Sequence, residues 1–125
     1  MTVVKTIGVF VVGIGLGVGA TLGAQTAQSA TRREPQFENA HVRVWKSIIQ
    51  PKQPLTMHRH EHGRALIALK GGTIDIVQKS GESKAHLWET GKAYWLDKDI
   101  PNTEHADVNN GREPIEVIVV ELKND

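Results

Sequence analysis

The stretch "LTMHRHEHGRALIALKGGTIDIVQK", residues 55–79, carries the reading of the fold. Its last part alternates. In "TIDIVQK" (73–79) Ile74 and Ile76 fall on one face and Asp75 on the other, the period of a half-buried strand. "RALIALK" (64–70) is nearly continuous in apolar residues, which predicts a strand buried on both faces. Gly71-Gly72 between them is a turn signal. The first part runs into "HRHEHGR" (58–64), which holds three of the chain's 6 histidines at alternate positions. On a strand, side chains at i and i+2 share a face. His58 and His60 therefore point the same way, close enough to hold one ion, while Arg59 and Glu61 point the other. His62 continues that face only if the strand runs on, and Gly63 directly after it predicts a turn. Alone, such a pair on a strand edge is an ordinary solvated feature, its rings bonded to water.

The flanking sequence reads the same way. "HVRVWKSII" (41–49), "AHLWE" (85–89), "KAYWL" (92–96) and "IEVIVVELK" (115–123) are short and rich in β-branched or aromatic residues. Seven or eight such strands, separated by Gly, Pro, Asn and Asp turns, predict an all-β sandwich or barrel. Pro51, Pro54, Pro101 and Pro114 sit in the turns, where a residue without an amide proton breaks no ladder. By alternation, one of Tyr94 and Trp95 faces the interior, and both are candidate pocket residues. No long amphipathic helix, internal repeat or low-complexity run follows residue 31.

A chain of 125 residues is enough for one domain. Its 15 basic and 14 acidic side chains nearly balance, so nucleic acid is not an expected partner. The absence of cysteine excludes disulfides, zinc–thiolate sites and cysteine nucleophiles. Lys5 is followed by an uncharged run, residues 6–31, with an apolar centre and a small-residue exit, the parts of a secretory signal. Cleavage is expected after Ser29, or alternatively after Ala24. The competing reading is a membrane anchor over residues 7–24, since a bilayer takes about 20 apolar residues. The expected location is periplasmic or secreted on the first reading, and the inner membrane on the second. Residues 1–29 are thus signal or anchor, 30–36 a linker and 37–123 the folded domain. A homodimer through exposed strand edges is the expected assembly.

Two histidines do not complete a metal site. His105 in "PNTEHADVNNG" (101–111) is the best-placed third, with Asn109 four residues on, ahead of His41 and His86. Together these residues resemble the cupin superfamily. His58-Arg59-His60 matches the H-x-H of its first motif, and Gly71 falls in register at that motif's end. Lys52 stands in place of the leading glycine, and Arg64 in place of the glutamate. Gly91 opens the second motif, and His105 with Asn109 supplies its H-x3-N end. Between them Asp97 and Asp99 replace the expected proline and glycine, and Asn102 occupies the strict histidine position. "DKDIPNTEH" (97–105) then reads as an enlarged turn with Pro101 as the displaced proline.

The resemblance implies a double-stranded β-helix, a cupin jelly-roll barrel with its site inside the mouth, preceded here by an apolar N-terminal segment. It implies His58, His60 and His105 as ligands of a divalent transition metal, with Fe, Zn, Cu, Ni and Mn all open. Arg64 is cationic and cannot ligate. Either the metal stays on three imidazoles while Arg64 turns to the mouth to grip an anion, or the metal is lost and the pocket binds a small molecule directly. The first is favoured, with His62 a candidate fourth ligand. Glu104 and Asp107 flank His105 and read as solvated turn carboxylates, Asp107 being the one able to orient a ring. A metal-dependent small-molecule enzyme of oxygenase type is the leading function. A non-catalytic metal or ligand-binding module is the alternative, and a bare scaffold the third.

Overall fold

The computed structural model describes residues 30–125; the signal or anchor read at 1–29 lies outside them. Nine strands follow one another there: β1 (Arg32–Glu38), β2 (Val42–Ile49), β3 (Leu55–His58), β4 (Arg64–Lys70), β5 (Gly72–Gln78), β6 (Ser83–Trp88), β7 (Ala93–Leu96), β8 (His105–Asn109) and β9 (Ile115–Leu122). They form a five-stranded sheet, β1-β2-β9-β4-β7, and a four-stranded sheet, β3-β8-β5-β6. All named pairings are antiparallel.

The pairings nest. β2 lies beside β9, β3 beside β8, β4 beside β7 and β5 beside β6, as if one long hairpin had been rolled up. This is the double-stranded β-helix expected from the sequence. Only β1–β2 and β5–β6 join neighbours in one sheet; the other connections pass between sheets. Gly71 makes one of these passages. A Cβ there would stand 1.9 Å from the Trp88 carbonyl oxygen, so the backbones approach too closely for any side chain.

Inward-facing residues alternate along the strands and fill the core with Trp45, Ile49, Leu66, Ala68, Ile74, Trp88, Ile115, Val117 and Val119. Ile74 and Ile76 share the inner face as predicted, while Asp75 turns out to bond Asn110. β4 departs from its reading. Only the Leu66 and Ala68 face is fully buried; Ile67 is half-buried and Leu69 exposed. Continuous apolarity here reflects a central position between β9 and β7 in the ladder, not cover on both faces.

Two strands were not anticipated. β1 occupies residues 32–38, most of which read as linker. Its charges and Pro35 suit a sheet edge, where one side of the ladder needs no donor. β8 is polar, "HADVN", and read as the tail of a turn, yet it lies in the middle of its sheet between β3 and β5.

Candidate metal centre

The β3–β8 pairing builds the site. His58 and His105 are directly opposed partners across that ladder, so two distant segments meet by strand register alone. His60 lies just past the end of β3. Its amide donates to Asp99 Oδ2 at 2.7 Å, and its carbonyl accepts from the Asp99 amide at 2.8 Å. Each of the three rings presents a nitrogen within 4.8 Å of the other two. Ring centroids are 4.5 Å apart for His58 and His105, 4.9 Å for His58 and His60, and 5.6 Å for His60 and His105. Trp45 stacks parallel to His60 at 6.3 Å and closes that side.

The surroundings set the protons. His58 Nδ1–H donates to the Thr56 carbonyl at 2.6 Å; a carbonyl only accepts, so the proton sits on Nδ1. His60 Nδ1–H donates to Glu121 Oε1 at 3.2 Å. His105 Nδ1 faces Asp99 Oδ2 at 3.4 Å. Acceptors on Nδ1 orient an imidazole and leave Nε2 as its lone pair, the tautomer a metal needs. His58 Nε2 is buried and has no hydrogen-bond partner among the described residues, so the donor set suits a cation. Three imidazole nitrogens converge, and one of them is otherwise unsatisfied.

Electrostatics agree. Burial pushes His58 below the usual histidine range against the Thr56 bond and the Asp107 charge, which favour the proton. Burial likewise pushes His105 down against Asp107 and Asp99. Burial would raise the Glu121 carboxyl, but the His60 bond and the charges of His60, Arg64 and Arg43 outweigh it and hold it below its usual range.

The other predicted residues go elsewhere. His62 does not join the cluster: its Nδ1 bonds Asp125 Oδ1 at 2.6 Å, because the chain bends after His60 and turns this ring outward. Arg64 does not swing out to the mouth. It is 6% exposed, and Nη1 donates to the Asp97 carbonyl at 3.2 Å. Burial lowers its pKa, opposed by the facing charges of Asp99, Asp107 and Glu121. Tyr94 is the inward member of its pair and packs on the core, with its hydroxyl accepting the Glu89 amide at 2.9 Å. Trp95 is 55% exposed and donates to Asp97. Neither lines the cavity beside His60. His86 faces β5 across the ladder, and His41 lies before β2.

Asp107 corrects the expectation of a solvated turn carboxylate. It is 9% exposed, with Oδ2 3.6 Å from His58 Nε2 and Oδ1 3.8 Å from His105 Nε2. Glu104, by contrast, stands apart from the rings, its carbonyl bonded to the Lys79 amide. Asp99, Glu121 and Arg33 are further site residues that sequence reading missed. Arg33 lies 5.0 Å over the Trp45 ring and faces Asp107 and Glu121. For Glu121 a signal existed: it shares parity with Ile115, Val117 and Val119, so a carboxylate interrupts an inward apolar face. A cavity of about 30 Å³ adjoins His60, Arg64 and Asp107, room for one or two waters.

No family model matches the chain, and neither does any curated protein. Solved structures do. A cupin domain from Bordetella pertussis superposes with a TM-score of 0.67 at 19% identity, over 75% of this chain and 94% of that one. An RmlC-like cupin family protein from Methanocaldococcus jannaschii gives 0.58 at 17% identity, over 75% of this chain and 81% of that one. A Klebsiella pneumoniae protein with a double-stranded β-helix domain gives 0.57 at 21% identity, over 77% and 79%.

Proposed function

We propose that this cupin-fold chain is an exported protein that holds one divalent transition metal on His58, His60 and His105 and works on a small molecule there, as an oxygenase-like enzyme does. The observation that carries the reading is His58, whose Nε2 is a buried lone pair with no partner beside two other imidazoles. A metal bound there would supply Lewis acidity or a place for dioxygen. The chain's own residues do the rest. Thr56, Glu121 and Asp99 hold the rings in their ligating orientation. Trp45 and the apolar core wall exclude bulk water on one side. Arg33 and Arg64 sit in the wall and offset the charges of Asp107 and Glu121.

Export rests on Lys5 and the uncharged run after it, with a membrane anchor as the variant of the same reading. Assembly as a homodimer rests on the open edges of β1 and β6. A non-catalytic metal-binding module is the second reading, and the small size of the cavity beside His60, about 30 Å³, favours it, since it holds a water or two and no sizeable substrate.

Metal analysis of the purified protein tests the common ground. About one ion per chain is expected, and His58→Ala, His60→Ala or His105→Ala should each lose it. A protein that stays metal-free after reconstitution with Fe, Zn, Cu, Ni and Mn would sink the reading. Oxygen consumption during a screen of small organic acids separates enzyme from binder; turnover no faster than the free-metal control leaves the binding module.

A further inference from the structure

We propose that Asp107 supplies the carboxylate ligand that Arg64 displaces, so that the cation is held by three imidazoles and one carboxylate. This rests on the histidine reading above and extends it to a residue on β8. The geometry is specific. Asp107 follows His105 by two positions and shares its face of the strand. Its two oxygens address two different rings, Oδ2 at 3.6 Å from His58 Nε2 and Oδ1 at 3.8 Å from His105 Nε2. Donors bonded at 2.0–2.2 Å to a tetrahedral ion stand about 3.3–3.6 Å from one another, so the Oδ2–His58 separation lies at the edge of that range and the Oδ1–His105 separation a little beyond it.

The contacts are not hydrogen bonds. His58 has given its proton position to Thr56, so in the neutral ring Nε2 has nothing to donate. A lone pair therefore faces a carboxylate oxygen with no proton between them. The Asp107 side chain is 12% exposed, and none of the described residues donates a hydrogen bond to it. A cation between the two groups would give the His58 lone pair its partner and set an opposite charge beside the carboxylate. The position β4 gives up to Arg64 is thus made good from β8, and Arg64 offsets the carboxylate charge from the opposite wall.

The test uses the full chain and Co(II), whose visible absorption reports its ligands. The wild type should bind one Co(II). Asp107→Asn, which keeps the volume and removes the charge, should bind more than about 100-fold more weakly with a shifted spectrum, beyond the 10–100-fold typical of a residue that only orients a ligand. His58→Ala serves as the control that loses the ion. If Asp107→Asn binds with wild-type affinity and an unchanged spectrum while His58→Ala does not bind, the Asp107 proposal falls and the histidine site stands. If the wild type binds nothing, both fall. Should Asp107→Asn fail to fold, a crystal structure of the Zn(II)-loaded wild type decides. An Asp107 oxygen about 2.0–2.2 Å from zinc is expected; one left beyond bonding reach overturns the proposal.

Discussion

The Asp99 carboxylate accepts the His60 amide at 2.7 Å and lies 3.4 Å from His105 Nδ1, so one side chain in the 97–105 turn steadies two rings from different segments. It stands where the cupin pattern expects a glycine, and nothing in its neighbours along the chain marks it. Lys52, in place of another pattern glycine, keeps the glycine's backbone instead, with φ of 59° and its amide bonded to the Asn109 carbonyl. His62 shows the opposite limit. Its spacing suggested a ligand, but it belongs to a clasp in which Asp125 accepts both the His62 ring proton and the Gly63 amide. Those bonds, the Gly63 amide first, hold the Asp125 carboxyl below its usual range. A depressed carboxylate contributes stability above the unfolded-state pKa of about 4, and that stability is lost as pH falls through the lower folded value. Wild type and Asp125→Asn should therefore differ in urea midpoint at pH 5 and converge toward pH 2. A gap that persists unchanged at pH 2 would rule out the clasp as its source.

Among the strands, the apolar ones were legible and the polar ones were not. β4, β5 and β9 follow period-2 alternation or apolar runs and lie within about a residue of their predicted ends. β8 escaped because its inward residues are His105, Asp107 and Asn109, and alternation of polar with small residues looks like a turn. Asn109 shows why such a strand belongs inside. Its Nδ2 donates to the Ile49 carbonyl at 2.9 Å and the Glu113 carbonyl at 2.7 Å, and its Oδ1 accepts the Gly111 amide at 2.9 Å. One buried amide ties the end of β2 to the turn leading into β9. Asn109→Ala leaves these backbone groups unpaired, and a loss of about 2–4 kcal/mol in urea unfolding is expected. Asn109→Asp should lose a similar amount, because it cannot donate. If Asn109→Asp unfolds at the wild-type midpoint, the donor role assigned to Nδ2 is wrong.

The barrel as a unit carries a charge inventory that no strand shows alone. Arg64 comes from β4, Asp107 from β8, Glu121 from β9 and Asp99 from the turn before β8, and nested pairing points all four at one interior. Arg64 is nearly fully buried, bonds the Asp97 carbonyl and faces the carboxylates from a longer distance. Arg64→Met should cost about 1.5–3 kcal/mol by chelator-treated urea unfolding, the range for a lost hydrogen bond from a charged group. The same change removes a like charge from beside the cation and should tighten Zn(II) binding. Unaltered stability together with unaltered zinc affinity in Arg64→Met would mean that Arg64 is electrostatically idle.

Sequence alone was sufficient for an all-β sandwich or barrel, because alternation and turn chemistry act over a few residues, while the jelly-roll expectation came from resemblance. The meeting of His105 with His58 was drawn from resemblance, and its physical cause, the β3–β8 register, belongs to the folded chain. The partners that hold the rings, the burial of Arg64 and the position of Asp107 were settled only by tertiary structure. Hydrogen bonds and charges act through space, and the residues that share this interior are scattered from Arg33 to Glu121 along the chain.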